Sequence, residues 1–210
     1  MYKTIKTRTL EVGYYDHGPS SGWPVLLYHG FPYDIHAYDE VFPKLVSNGA
    51  RVIVPYVRGF GPTRFLSSHT MRSGQQAALG SDVIELMDAL NIEKAILGGF
   101  DWGGMSCCVA SALWPERVVG LVSFCFGNAQ GDPALQKLED VLATKPKITV
   151  PTVALDGKQD PLKRGGTAAH RQHFSGKFER KVVDVGHAFP MEAPEDFANA
   201  VLTIHGWQSG

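Results

Sequence analysis

The chain has no surplus of basic charge, few cysteines and no long hydrophobic run. Twenty lysines and arginines face twenty-one aspartates and glutamates, for a net charge of −1. With nothing in excess to neutralise phosphates, nucleic acid is not an expected partner. The three cysteines, Cys107, Cys108 and Cys125, are too few and too irregularly spaced for a disulfide framework. Two of them are adjacent, and they read as small core residues in a reducing compartment, so a cytoplasmic location is expected. The opening MYKTIKTRTLEVGYY mixes polar with apolar residues and reads neither as a signal peptide nor as a membrane span. No later stretch reaches the length of a span, so no membrane association is expected. Internal repeats, low-complexity tracts and linkers are also missing, which argues against a modular chain.

What remains is an ordinary globular composition. The 210 residues are 44% hydrophobic and 20% charged. A domain of that length buries roughly 70% of the surface its unfolded chain exposes. One domain over residues 1–210 is expected.

Short apolar runs alternate with helical patterns. Residues 4–7 and 10–15 read as opening strands closed by the turn cluster DHGPSSG at 16–22. WPVLLYH (23–29), RVIVPY (51–56), KAILGG (94–99), RVVGLVSF (117–124) and KITVPTVAL (147–155) are near-continuous β-type runs. Strands with helices on both faces read this way, so a mostly parallel sheet in an α/β fold is expected. Between the runs, Leu79, Val83, Leu86 and Leu90 predict a helix over 75–90. A second helix should follow Trp102 and stop before Pro115. A last one, opening near Pro194, would bury Phe197, Val201 and Ile204.

The chemistry concentrates at the ends of these runs. Gly99-Phe100-Asp101-Trp102-Gly103 follows the fifth strand and precedes a helix. Glycines two before and two after a polar residue are the spacing of a nucleophile elbow, where strand and helix must approach closely. The central residue here is an aspartate. A carboxylate suits displacement at a saturated carbon, giving an alkyl-enzyme ester. The bland alternative is that Asp101 only caps the next helix.

The third run ends in His29-Gly30-Phe31-Pro32. In hydrolases of this architecture, that loop and the residue after the nucleophile supply the two oxyanion-hole amides, here Phe31 and Trp102. By itself the string also fits a simple strand-exit turn. The acid and then the histidine should follow in that order. TVALDGKQDP carries Asp160 in a loop, with Asp156 as a rival at the strand end. KVVDVGHAF places His187 after a strand and ahead of the final helix.

Together, HGFP (29–32), RGFG (58–61), GFDWG (99–103), DGKQDP (156–161) and GHAFPMEAPEDFA (186–198) resemble the α/β-hydrolase superfamily, in its aspartate-nucleophile branch of epoxide hydrolases and haloalkane dehalogenases. The resemblance implies a covalent ester on Asp101, hydrolysed by water that His187 activates with Asp160 orienting it. It implies no metal and no organic cofactor. The substrate would be a small apolar epoxide or alkyl halide, held near Phe31, Tyr33, Trp102 and Phe189.

HGFP followed by DWGG looks most like the epoxide hydrolases, which use tyrosines from a helical cap to protonate the epoxide oxygen. Here residues 126–147 leave room for one short helix, DPALQKLEDVLAT, and all seven tyrosines precede Asp101. A core whose cap is reduced to a remnant is expected. General-acid help is typically worth about 10²–10⁴-fold, so weak turnover is expected of an epoxide hydrolase lacking it. Tyr33 and Tyr38 are the substitutes nearest the HGFP loop. A halide needs no proton, which keeps the dehalogenase reading open. Against it, Phe31 stands where those enzymes usually carry an asparagine, and Met105 takes the place of the arginine of fluoroacetate types.

His170 and His173 lie three apart without a third ligand nearby, which favours a solvated face over a metal site. Lys163 and Arg164 read as an exposed loop. A rival to the enzyme reading is a capless scaffold that binds apolar ligands or self-associates through the bared mouth at Phe31, Trp102 and Phe189.

Overall fold

The computed structural model describes residues 2–124, 136–162 and 167–208. Cys125, residues 126–135 of the expected cap remnant, and the Lys163 and Arg164 loop lie outside these.

One sheet organises the described residues. Its strands are β1 (Lys3–Lys6), β2 (Leu10–His17), β3 (Trp23–Tyr28), β4 (Ala50–Pro55), β5 (Arg64–Phe65), β6 (Ala95–Phe100), β7 (Val118–Phe124), β8 (Thr152–Gly157) and β9 (Phe178–Val183). In space they run β1-β2-β4-β3-β6-β7-β8-β9, with β5 beside β2. The β1-β2, β2-β4 and β2-β5 pairs are antiparallel, and every pair from β4-β3 to β8-β9 is parallel.

Side-chain alternation divides each central strand between two cores. Val25 and Leu27 of β3 join one apolar cluster with Val52, Val54, Phe100, Phe197 and Ile204. Leu26 and Tyr28 join the other with Ile53, Leu97, Val83, Leu86 and Cys107. A period of two sends successive residues to opposite faces, and because both faces are covered, both sets are apolar. The covering helices are α1 (Phe42–Ser47) and α6 (Pro194–Gly206) on the first face, and α2 (Gln76–Ala89) and α3 (Trp102–Leu113) on the second. In α6, Phe197, Val201 and Ile204 are fully buried at helical spacing, each worth roughly 1.5–3 kcal/mol of burial. Two further helices are α4 (Gln136–Ala143), which falls inside the expected cap remnant, and α5 (Phe189–Glu192).

The strand expected over 147–155 is displaced. Its ladder begins at Thr152, because Pro151 has no N–H to donate, and Ile148 makes only an isolated bridge to Phe174. Cys107 and Cys108 are both buried. No helix among the described residues is long and apolar enough to cross a membrane.

The topology fixes where a site can form. After β3 the chain moves to β4 on one side, and β6 then pairs with β3 on the other. Ligands of open α/β sheets bind in the crevice outside the carboxyl ends of strands at such a reversal. The segments leaving β3 and β6 here are the HGFP loop and Asp101.

Candidate active site

Asp101 sits between β6 and α3 with φ 53° and ψ −127°. A positive φ in a non-glycine residue costs of order 1–3 kcal/mol and persists only when its surroundings hold it. Two contacts hold it here: its N–H donates to the Phe124 carbonyl at 2.9 Å, and its carbonyl accepts from Met105 at 3.0 Å. The flanking glycines are required for space. A Cβ on Gly99 would lie 2.5 Å from the Gly103 carbonyl carbon, and one on Gly103 would lie 2.0 Å from the Tyr28 oxygen. The Asp101 side chain makes no capping bond to α3.

The carboxylate points instead into the crevice. Its Oδ1 accepts from the Phe31 N–H at 2.8 Å, and its Oδ2 lies 3.2 Å from His187 Nε2. His187 Nδ1 lies 3.0 Å from Asp160 Oδ2, and Asp160 Oδ1 accepts from the Leu162 N–H at 2.8 Å. Exposure falls along this chain, from 18% for the Asp101 side chain to 13% for His187 and 2% for Asp160. The outer group meets solvent, while the inner one is sealed and fully hydrogen-bonded.

Phe31 reaches Asp101 only because Gly30 precedes it. A Cβ there would lie 2.4 Å from Asp101 Cβ and 2.5 Å from Oδ1. The Trp102 amide, at the first position of α3, makes no corresponding bond to Asp101 among the described residues. The Phe31 and Trp102 side chains are both exposed, at 63% and 41%.

Asp156 is buried within β8 and fully committed. It accepts from the Thr167 N–H and hydroxyl at 2.7 and 2.9 Å, and from Arg180 Nε at 2.6 Å. That leaves Asp160 as the carboxylate beside His187.

Other expected placements need correction. Phe189 does not line the mouth: it is fully buried, its ring 5.3 Å from Phe124 and 6.4 Å from Phe197, because α5 turns it into the core. Tyr38 is likewise fully buried, with its hydroxyl donating to the Tyr28 carbonyl at 2.8 Å, so it is unavailable as an acid. Tyr33 is half-buried with its ring 5.2 Å from Phe100. His170 and His173 occupy a 3-10 turn and line a separate cleft of about 490 Å³ bordered by α3 and α4. Met105 opens onto that same cleft. No cluster of three metal-ligating side chains occurs among the described residues.

Three supporting residues escaped the sequence reading. Glu192 accepts from Gly186 N–H at 2.7 Å and from Ala188 N–H at 3.0 Å, gripping the backbone on both sides of His187. Phe60 of the RGFG string packs edge-on at 5.0 Å from the His29 ring and 6.4 Å from Phe31. His29 is buried, and its Nε2 faces the Val57 N–H at 3.1 Å. Burial pushes its imidazole below the ordinary value of 6.5, with bonds to backbone carbonyls acting the other way. The signal for all three was their presence inside the strings that carry the family resemblance. Their partners, being backbone or ring faces, leave no trace in sequence.

Comparison with known proteins agrees with this architecture. Residues 24–134 match the family model for the alpha/beta hydrolase fold. A crystal structure of a candidate epoxide hydrolase from Klebsiella pneumoniae subsp. pneumoniae superposes with a TM-score of 0.91 at 32% identity, covering 97% of this chain and 96% of that one. The chain therefore belongs to the α/β-hydrolase fold family. Epoxide hydrolase 3 of Siraitia grosvenorii is 31% identical over 65% of this chain and 42% of its own length. Haloalkane dehalogenase of Psychrobacter cryohalolentis is 35% identical over 51% of this chain and 35% of its own. The chain thus spans less than half the length of these curated relatives.

Proposed function

We propose that this protein is a hydrolase that uses Asp101 as a nucleophile, with an epoxide-type substrate as the first reading. The observation that carries it is the division of labour at one carboxylate. Oδ1 lies on the Phe31 N–H, while Oδ2 faces the crevice beside His187. In this reading Oδ2 attacks a saturated carbon. The new C–O bond forms as the bond to the leaving group breaks, and that group takes the electron pair. Water then adds to Cγ and gives a proton to His187 Nε2, and negative charge collects on Oδ1 within reach of Phe31. The Cγ–Oδ2 bond then breaks, the departing Oδ2 takes the proton back from His187 Nε2 and leaves as the alcohol, and the Asp101 carboxyl that remains gives its proton to solvent. Asp160 holds the imidazole through Nδ1 and balances its charge. Because Oδ2 is esterified in the intermediate, its contact with Nε2 must give way to the incoming water.

The similarity to named epoxide hydrolases supports the substrate class. A halide substrate is the second reading, favoured by two observations: Tyr38 is sealed away, and every tyrosine precedes Asp101. A halide leaves without a proton, and Trp102, the residue after the nucleophile, is 41% exposed and carries an indole N–H that would serve as its donor.

The test is intact-mass spectrometry of His187→Gln incubated separately with an aryl epoxide and a bromoalkane. Blocking the second step should trap the ester. An adduct from the epoxide supports the first reading, and one from the bromoalkane alone supports the second. No adduct from either, with inactive wild-type protein, would favour a capless binding scaffold.

A further inference from the structure

We infer that His29 is a positioning residue for the oxyanion hole, acting through the Gly30–Phe31 peptide in its neutral, Nδ1-protonated form. The inference rests on the reading of Asp101 as nucleophile and adds a residue to that machinery.

The tautomer follows from one contact. His29 Nε2 lies 3.1 Å from the Val57 N–H. A backbone N–H can only donate, so Nε2 must present its lone pair. The ring is fully buried at the end of β3, where an uncompensated charge is disfavoured, and the remaining proton therefore sits on Nδ1. Nδ1 lies 3.1 Å from the Gly30 carbonyl, to which it donates.

That carbonyl and the Phe31 N–H are two ends of one planar group. His29 holds the oxygen end, and the nitrogen end donates to Asp101 Oδ1 at 2.8 Å. Fixing one end fixes the direction of the other. Donation to the carbonyl also polarises the amide and strengthens its N–H as a donor. Phe60 and Tyr56 pack edge-on against the imidazole at 5.0 and 6.4 Å, limiting its rotation.

The consequence is confined to one half of the reaction. When Oδ2 attacks carbon, negative charge leaves the carboxylate, so a well-aimed Phe31 N–H does little for that step. When water adds to the ester, charge grows on Oδ1, and the aim of the donor matters. A misdirected peptide should therefore slow ester hydrolysis more than ester formation.

Two substitutions separate the ring nitrogens. In His29→Asn the side-chain amide reaches about where Nδ1 was and can still donate to Gly30. In His29→Gln the longer side chain reaches about where Nε2 was, keeping the Val57 contact and losing the donor. Rapid-quench mass spectrometry would follow ester formation and decay with an aryl epoxide and a bromoalkane. Expected is a decay step slowed about tenfold or more in His29→Gln, with visible ester build-up, and a ratio of the two steps nearer wild type in His29→Asn. Equal loss in both steps, or no difference between the variants, overturns the inference.

Because the ring is buried, nitrogen NMR of histidine-labelled wild-type protein supplies a measurement free of substitution. A protonated Nδ1 and a bare Nε2 at neutral pH are expected, and the opposite tautomer or an imidazolium overturns the inference. His187→Gln run alongside keeps the two failures apart. If it traps no ester, the nucleophile reading falls, while the nitrogen spectrum still decides how His29 holds Gly30.

Discussion

Gly30→Ala should disable the site with a modest loss of fold stability. The added methyl group would stand 2.4 Å from Asp101 Cβ and 2.5 Å from Oδ1. Neither neighbour can yield easily. Asp101 is held at φ 53° by backbone bonds on both sides, and the HGFP loop leaves β3 at its junction with β6. Relief must come from the two segments moving apart, which lengthens the 2.8 Å bond from Phe31 to Oδ1. Losing one oxyanion-hole donor costs about 10²–10³-fold in turnover, or about 2.7–4 kcal/mol. Overpacking of about 2 kcal/mol lowers the melting temperature by about 4–8 °C in a chain of this size. The assay pairs steady-state hydrolysis of an aryl epoxide or bromoalkane with thermal unfolding followed by circular dichroism. Full activity with an unchanged melting temperature would refute the close approach. Full activity with a lowered melting temperature would show that the Phe31 amide is not used.

Glu192→Gln replaces one of the two acceptor oxygens by an NH₂ facing a backbone N–H, which loosens the chain around His187. Turnover should fall by about tenfold with a smaller change in KM, since small misplacements of a base are costly; an unchanged kcat contradicts this. Arg58→Ala should lower stability by about 3–5 kcal/mol, because it strands Asp82, which Arg58 grips at 2.6 and 2.7 Å, in a site where both side chains are nearly buried. Urea unfolding checks the magnitude, and a loss below about 1 kcal/mol would place the pair among weak surface bridges. His17 and His29 both have pKa values pushed below 6.5, chiefly by burial. Between each lowered value and 6.5 the unfolded chain binds a proton that the folded chain does not. Stability should therefore fall with decreasing pH in that window, by up to about 1.4 kcal/mol per pH unit for buried His29 and by less for half-buried His17. Exposed His36 is raised by its hydrogen bond to Asp39 and opposes this from the surface. Stability that rises as the pH drops through the window would contradict the reading.

The parts of the site that were legible in sequence are those compressed into short strings. Asp101 stood out because an elbow needs glycines at fixed offsets, and Asp160 stood out from Asp156 by loop position. The structure supplies a reason for the latter, in the Thr167 and Arg180 bonds that occupy Asp156. The parallel core was legible because strands covered on both faces must be apolar throughout. Helix α1 was not foreseen: its six residues are too short to show a helical period, and its one fully buried side chain is Leu45. Phe189 was misplaced because adjacency to His187 in sequence says nothing of which way a one-turn helix directs a ring. Glu192 and His29 act on backbone groups, which every residue carries, so sequence offers no partner to match them with.

If Asp101 is the nucleophile, one of its own oxygens, and not one from water, reaches the product first. A single turnover of excess wild-type protein in ¹⁸O-labelled water tests it directly, with mass analysis of the product and of the peptide containing Asp101. Expected are an unlabelled alcohol oxygen in that first turnover and one ¹⁸O in the Asp101 carboxylate. A labelled product beside an unlabelled Asp101 would mean that water attacks the substrate itself, and the nucleophile assignment would be wrong.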